Sequence, residues 1–181
     1  MVWHTQGSGK SLTMAYVARK LQAPEFGFEN PTVMIMTDRK DLDRQITTTL
    51  QNVGFKNVNQ ASSVIHLDKL LRNDYGGIIT TTIQKFQEIR GENLRVLNES
   101  DKVIVLIDEA HRTQEGDLGR NMRAALPNAF YFGLTGTPVN KLDKNTFWAF
   151  GSDQDQGGYL SRYTFQESIR DKATLPLHFE P

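Results

Sequence analysis

Hydrophobic and polar positions alternate along this chain in two rhythms. Residues 32–37 (TVMIMT), 77–82 (GIITTT), 103–108 (VIVLID) and 129–135 (AFYFGLT) are short runs of strand length without a regular polar face. That is the pattern of strands buried on both sides. A weaker run at 57–61 fits a further strand. Between them, apolar positions recur at helical spacing. Residues 11–21 carry Leu12, Ala15, Tyr16 and Leu21 on such a repeat; 38–50 reads as a helix ending before Gly54. Residues 64–71 follow a capping Ser63, 117–126 stop at Pro127, and 165–172 form a last helical pattern. Residues 175–179 read as extended chain. Strand and helix alternating in this way predict an α/β fold with a mostly parallel sheet and helices on both faces. Ligands in such sheets bind at the carboxyl ends of the strands.

Composition narrows this only slightly. The chain has 181 residues, 38% hydrophobic and 23% charged, with 21 basic and 21 acidic side chains and formal net charge zero. That suits one globular domain and gives no bulk attraction for nucleic acid, though a local basic groove is compatible with it. The absence of cysteine excludes a disulfide framework and thiolate metal sites. No apolar run is long enough to span a bilayer, and the expectation is a cytoplasmic protein.

The chemistry sits where the apolar runs stop. Gly7-Ser8-Gly9-Lys10-Ser11 leads into the first helix. Glycines let successive backbone N–H groups converge on one anion, and the helix N-terminus adds positive dipole. Lys10 can then reach β- and γ-phosphates, and the Ser11 hydroxyl can ligate Mg²⁺. The full phosphate-loop pattern asks for a glycine where His4 stands. Only Met1, Val2 and Trp3 precede His4, so Val2 and Trp3 read as the stub of a strand, a weak anchor with Trp3 at the sheet edge. Read alone, the stretch also fits a glycine-rich turn.

Asp108-Glu109-Ala110-His111 closes the most apolar strand. Adjacent carboxylates there can divide the work of hydrolysis, one on Mg²⁺ and one on the attacking water. An exposed helix start would use the same residue types.

These two segments, with Leu134-Thr135-Gly136-Thr137-Pro138, resemble motifs I, II and III of superfamily 2 helicases and translocases. The resemblance implies a RecA-like P-loop NTPase lobe in which His111, Thr135 and Thr137 couple nucleotide state to nucleic-acid grip. Longer strings are similar to the restriction (R) subunit of type I restriction–modification enzymes: residues 3–14 (WHTQGSGKSLTM), 38–45 (DRKDLDRQ), 108–112 (DEAHR) and 133–138 (GLTGTP). That family carries a histidine at the place of His4. ATP and Mg²⁺ are the implied cofactors. Gly7, Ser8, Gly9, Lys10 and Ser11 would bind nucleotide, Ser11 and Asp108 would hold Mg²⁺, and Lys10, Asp108 and Glu109 would be catalytic. Implied partners are the backbone of double-stranded DNA and the modification and specificity subunits. The resemblance treats residues 1–181 as one motor lobe, with 140–181 extending towards a second. The nuclease domain and the second lobe with its arginine finger have no counterpart here, so the chain reads as part of a longer subunit and as slow by itself. Two alternatives remain: the ATPase lobe of another superfamily 2 helicase, and a nucleotide-binding fragment without catalysis.

Arg39, Thr81 and Gln84 resemble the DNA-contacting positions of motifs Ia and Ib, and hydroxyls, amides and guanidinium groups suit phosphate contacts that read no base. Thr81 is equally a good strand residue, and Arg39 could belong to a solvated helix face. Phe147, Trp148 and Phe150 read as core or lobe-interface packing.

Overall fold

The computed structural model of the chain describes residues 1–72, 76–87, 96–114, 118–138, 146–152 and 154–176. The predicted helix start at Asp117, most of the extended segment at 175–179 and part of the 140–181 extension lie outside them, as do the side chains of Phe147 and Trp148.

The apolar runs become strands of one sheet. In chain order these are β1 (Val2–His4), β2 (Thr32–Thr37), β3 (Val58–Gln60), β4 (Ile78–Thr82), β5 (Val103–Ile107), β6 (Phe130–Thr135) and β7 (Ser161–Tyr163). They lie side by side as β3-β4-β2-β5-β6-β1-β7, and every pairing is parallel. The helices are α1 (Lys10–Gln22), α2 (Lys40–Asn52), α3 (Val64–Arg72), α4 (Gln84–Gln87), α5 (Leu118–Ala125), α6 (Thr146–Phe150) and α7 (Phe165–Arg170).

The central strands are buried on both faces because successive side chains point to opposite sides. Val33 and Ile35 join Met14, Ala18, Ile46 and Leu50 of α1 and α2 in one core. Met34 and Met36 join Leu67 and Leu71 of α3 and Leu118 and Met122 of α5 in the other. This explains the unbroken apolar runs, and it carries the carboxyl ends of β1, β2, β4, β5 and β6 to one rim.

Two expectations change here. β1 is not a loose stub at the edge: Val2 and Trp3 pair with β6 on one side and, with His4, with β7 on the other. Three residues hydrogen-bonded on both flanks suffice to seat the loop that follows. The outer neighbour, β7, was not anticipated. Its signal was the helix start behind it, a capping box in which Thr164 accepts from the Glu167 N–H and the Glu167 carboxylate accepts from the Thr164 N–H.

Asp43, 2% exposed, sits on the buried side of α2. One carboxylate oxygen accepts from Gln60 Nε2 at 2.9 Å; the other is buried without a hydrogen-bond partner. Burial raises its pKa, partly offset by the Gln60 bond and by Lys85. A raised folded-state value means that the stabilising form is the protonated one. Stability from Asp43 is therefore present in acid and lost as pH rises from about 4 through the folded value. Asp43→Asn should flatten this slope and melt higher than the parent at pH 8, as thermal unfolding from pH 4 to 8 will show. An unchanged profile would rule Asp43 out as its source.

Candidate functional site

The loop between β1 and α1 is shaped by glycines at two places. Gly7 has φ +81° and Gly9 φ +86°, both left-handed, and the N–H groups of Leu12 and Thr13 fold back onto the Gly9 carbonyl as α1 begins. His4 is extended strand, paired with Tyr163. Position 4 therefore has no need of glycine, which resolves the departure from the general pattern. Lys10, only 8% exposed, directs its ammonium inward, where it donates to the carbonyls of His4 and Thr5 at 3.5 Å each.

β5 ends opposite this loop. Asp108 is 6% exposed, and its backbone N–H still bonds to Met36 O of β2. The chain then turns sharply: Glu109 has φ +51°, a conformation uncommon for a non-glycine residue and recurrent at functional sites. The turn swings the Glu109 carboxylate to 4.0 Å from Lys10 Nζ on one side and 3.5 Å from His111 Nδ1 on the other. Asp108 is held differently, accepting from the Glu109 N–H at 3.0 Å. Burial raises its pKa and the Glu109 charge adds to this, while Lys10 opposes both. A site that disfavours two neighbouring negative charges gains from a cation placed beside them.

β6, between β1 and β5, supplies the third segment. Thr135 is fully buried; its hydroxyl shares a 2.9 Å hydrogen bond with His111 Nδ1 and accepts from the Thr137 N–H at 3.1 Å. Gly136 lies where a Cβ would come within 3.2 Å of Gln6 N and 3.4 Å of Lys10 Nζ, and its carbonyl accepts from the Trp3 indole at 3.2 Å. Loop, acidic turn and threonine segment thus enclose one cavity of about 500 Å³, lined by Gly7, Gly9, Lys10, Ser11, Asp108, Glu109 and Thr137 among others.

Arg39 and Asp38 also line that cavity, and they border a second, of about 490 Å³, at the ends of β2 and β4. Gln84 Nε2 donates to Asp38 O at 2.6 Å, and Arg112 Nη1 pairs with Asp38 Oδ2 at 3.0 Å. Sequence reasoning missed Arg112 and Lys85. Lys85 is 9% exposed beside the second cavity and donates to Thr82 Oγ1 at 3.2 Å. Thr81 is a correction. It is fully buried with its hydroxyl unpartnered, on the opposite face of β4, and Thr82 is the threonine that lines the cavity.

All of residues 1–181 match the family model described as SWI2/SNF2 ATPase. The chain belongs to that family. Among curated relatives, the type I restriction enzyme HindI endonuclease subunit of Haemophilus influenzae is 40% identical over 99% of this chain and 18% of its own length. The putative type I restriction enzyme MjaIXP endonuclease subunit of Methanocaldococcus jannaschii is 36% identical over 99% of this chain and 17% of its own. The chain thus spans less than a fifth of these relatives. Two solved structures share the fold of this SWI2/SNF2 domain. The Pyrococcus furiosus Hef helicase domain matches 90% of this chain and 34% of its own, with a TM-score of 0.60 at 18% identity. A nuclease-deletion mutant of the Type ISP restriction-modification enzyme LlaGI, in complex with a DNA substrate mimic, matches 95% of this chain and 18% of its own, with a TM-score of 0.58 at 15% identity. The α/β, RecA-like architecture and the resemblance to type I restriction subunits both hold, and the ATPase family implies use of a nucleotide. No described helix is long and apolar enough to cross a membrane.

Proposed function

We propose that these 181 residues form the ATP-binding and ATP-hydrolysing motor lobe of the DNA-translocating subunit of a type I restriction endonuclease, acting in the cytoplasm with modification and specificity subunits. The observation that carries this is the Lys10 ammonium facing the Glu109 carboxylate, 4.0 Å away, across a cavity between the ends of β1 and β5. A cation on a glycine loop and a carboxylate on a strained turn are what phosphate and an attacking water require.

The donor set fits Mg²⁺. Ser11 and Asp108 offer hard oxygen ligands, and Asp108 is a buried carboxylate crowded by Glu109. Among the described residues no group of three or more His, Cys, Asp or Glu could hold a metal. Ser11 and Asp108 would hold the ion, which would supply neutralising charge for phosphoryl transfer. Lys10 and the loop N–H groups hold the β- and γ-phosphates. Glu109 orients a water in line with the γ-phosphorus and accepts its proton as the new P–O bond forms and the bond to the ADP oxygen breaks. His111, bonded to Thr135 and close to Glu109, links this event to β6.

For the DNA track, the second cavity brings Arg39, Thr82, Gln84 and the sheltered Lys85 together. Backbone phosphate is the ligand such donors suit. Two titrations of the purified chain test the reading. A fluorescent ATP analogue should saturate with Mg²⁺ and bind more weakly with EDTA. A labelled 20-base-pair duplex should bind at low salt, and Lys85→Met should weaken it uniformly across sequences and lower the log–log salt slope by about one. Absence of saturable nucleotide binding would overturn the ATPase reading; an unchanged slope would remove Lys85 from the track.

A further inference from the structure

We infer that His4 is a positioning residue for nucleotide binding: it locks the phosphate loop to β7, so that residues 161–174 become part of the nucleotide site. This rests on the nucleotide reading of the Lys10 loop, but concerns the one position that departs from its general motif and a segment, 161–174, outside it.

The contacts form a closed ring around the loop. At its start, His4 Nε2 shares a 2.9 Å hydrogen bond with Ser161 Oγ, and the imidazole meets the Tyr163 ring edge-on, 5.8 Å between centroids. One residue on, the Thr5 N–H donates to Tyr163 O at 3.0 Å, extending the β1–β7 ladder into the loop. Tyr163 donates its hydroxyl to Asp171 Oδ2 at 3.1 Å, reaching the end of α7. Beyond α7, Lys172 takes a left-handed φ of +59°, and the chain doubles back as the N–H groups of Ala173 and Thr174 both bond to Ser168 O. The Thr174 hydroxyl donates to Ser168 Oγ at 3.0 Å, and Ser168 is fully buried. This fold-back sets the Thr174 methyl 3.3 Å from the point where a Cβ on Gly7 would stand. The β7–α7 unit therefore meets the loop at two points, through His4 at its entry and through Thr174 beside Gly7 at its middle.

The consequence runs against the general pattern. Lys10 takes its two backbone acceptors from His4 and Thr5, the residues that β7 holds. Releasing them frees the carbonyls that aim the ammonium. Glycine at position 4 would restore the common motif while removing the Ser161 and Tyr163 contacts and adding backbone freedom.

The test compares the parent chain with His4→Gly, His4→Gln and Ser161→Ala, using a fluorescent ATP analogue with Mg²⁺ and hydrogen exchange over 161–174 with and without nucleotide. His4→Gly should bind about 5- to 10-fold more weakly, Ser161→Ala about 3-fold more weakly, and His4→Gln should recover most of the loss by keeping a side-chain polar group within reach of Ser161. Nucleotide should slow exchange in 161–174 of the parent and not of His4→Gly. Because Ser161 is exposed and outside the loop, its variant remains informative where His4→Gly melts early. Equal or tighter binding by His4→Gly, or nucleotide-dependent protection of 161–174 that survives it, overturns the inference and leaves the nucleotide reading standing. A parent chain that binds no nucleotide overturns both.

Discussion

Glu109→Gln should slow ATP turnover by about 10²- to 10⁴-fold while leaving nucleotide affinity nearly unchanged. Asp108 and Glu109 are adjacent in sequence but not in role. Asp108 is 6% exposed and tied to the Glu109 N–H, which suits a fixed ligand for a shared cation. Glu109 is pushed out by its left-handed backbone, and its side chain is 24% exposed, so water can reach it. The amide keeps the shape of the carboxylate and most of its hydrogen bonding, but it cannot take a proton. Single-turnover hydrolysis of labelled ATP, run beside analogue titrations, separates the two effects. If affinity falls as far as rate, Glu109 serves as a counter-ion for Lys10 and not as the group that positions water.

The parts of this site that could be read from sequence are those carried by consecutive residues. Residues 7–11, 108–111 and 134–138 each lie within one turn at the end of one strand, so local pattern was enough to place them. What escaped depends on partners far along the chain. β1 obtains its hydrogen bonds from Leu134 and Thr135 and from residues 161–163, none of which a local window can see. β7 is three residues with two of them exposed, too short and too polar to register as a strand. Arg112 meets Asp38 only because β5 and β2 are neighbours.

The exchange of Thr82 for Thr81 has a different origin. Both faces of β4 are covered, so its sequence carries no apolar–polar alternation to fix which threonine faces which side. Thr80 bonds to Thr47 of α2 at 2.6 Å, and the period of two then puts Thr82 on the same side and Thr81 on the other. Phase, unlike element type, became legible only once the covering helix was in place.

Lys10→Ala should raise the dissociation constant for Mg·ATP by at least about 30-fold, from hydrogen bonds to charged groups worth roughly 1.5–3 kcal/mol and the loss of the cation itself. The same change should leave the melting temperature within about 2 °C of the parent. A buried ammonium whose hydrogen bonds are both 3.5 Å long, with its carboxylate partner at 4.0 Å, recovers little of its desolvation cost. Alanine is also an excellent helix former at the first position of α1. Lys10→Arg should not restore binding, because a planar fork cannot replace a compact charge inside a loop this closely packed against Gly136. Nucleotide titration and thermal melting of the two variants decide the matter together. Unchanged affinity in Lys10→Ala would remove the phosphate loop from the site. Lost affinity with an intact fold would show that the chain keeps a cation buried here for a phosphate ligand, with little return in its own stability.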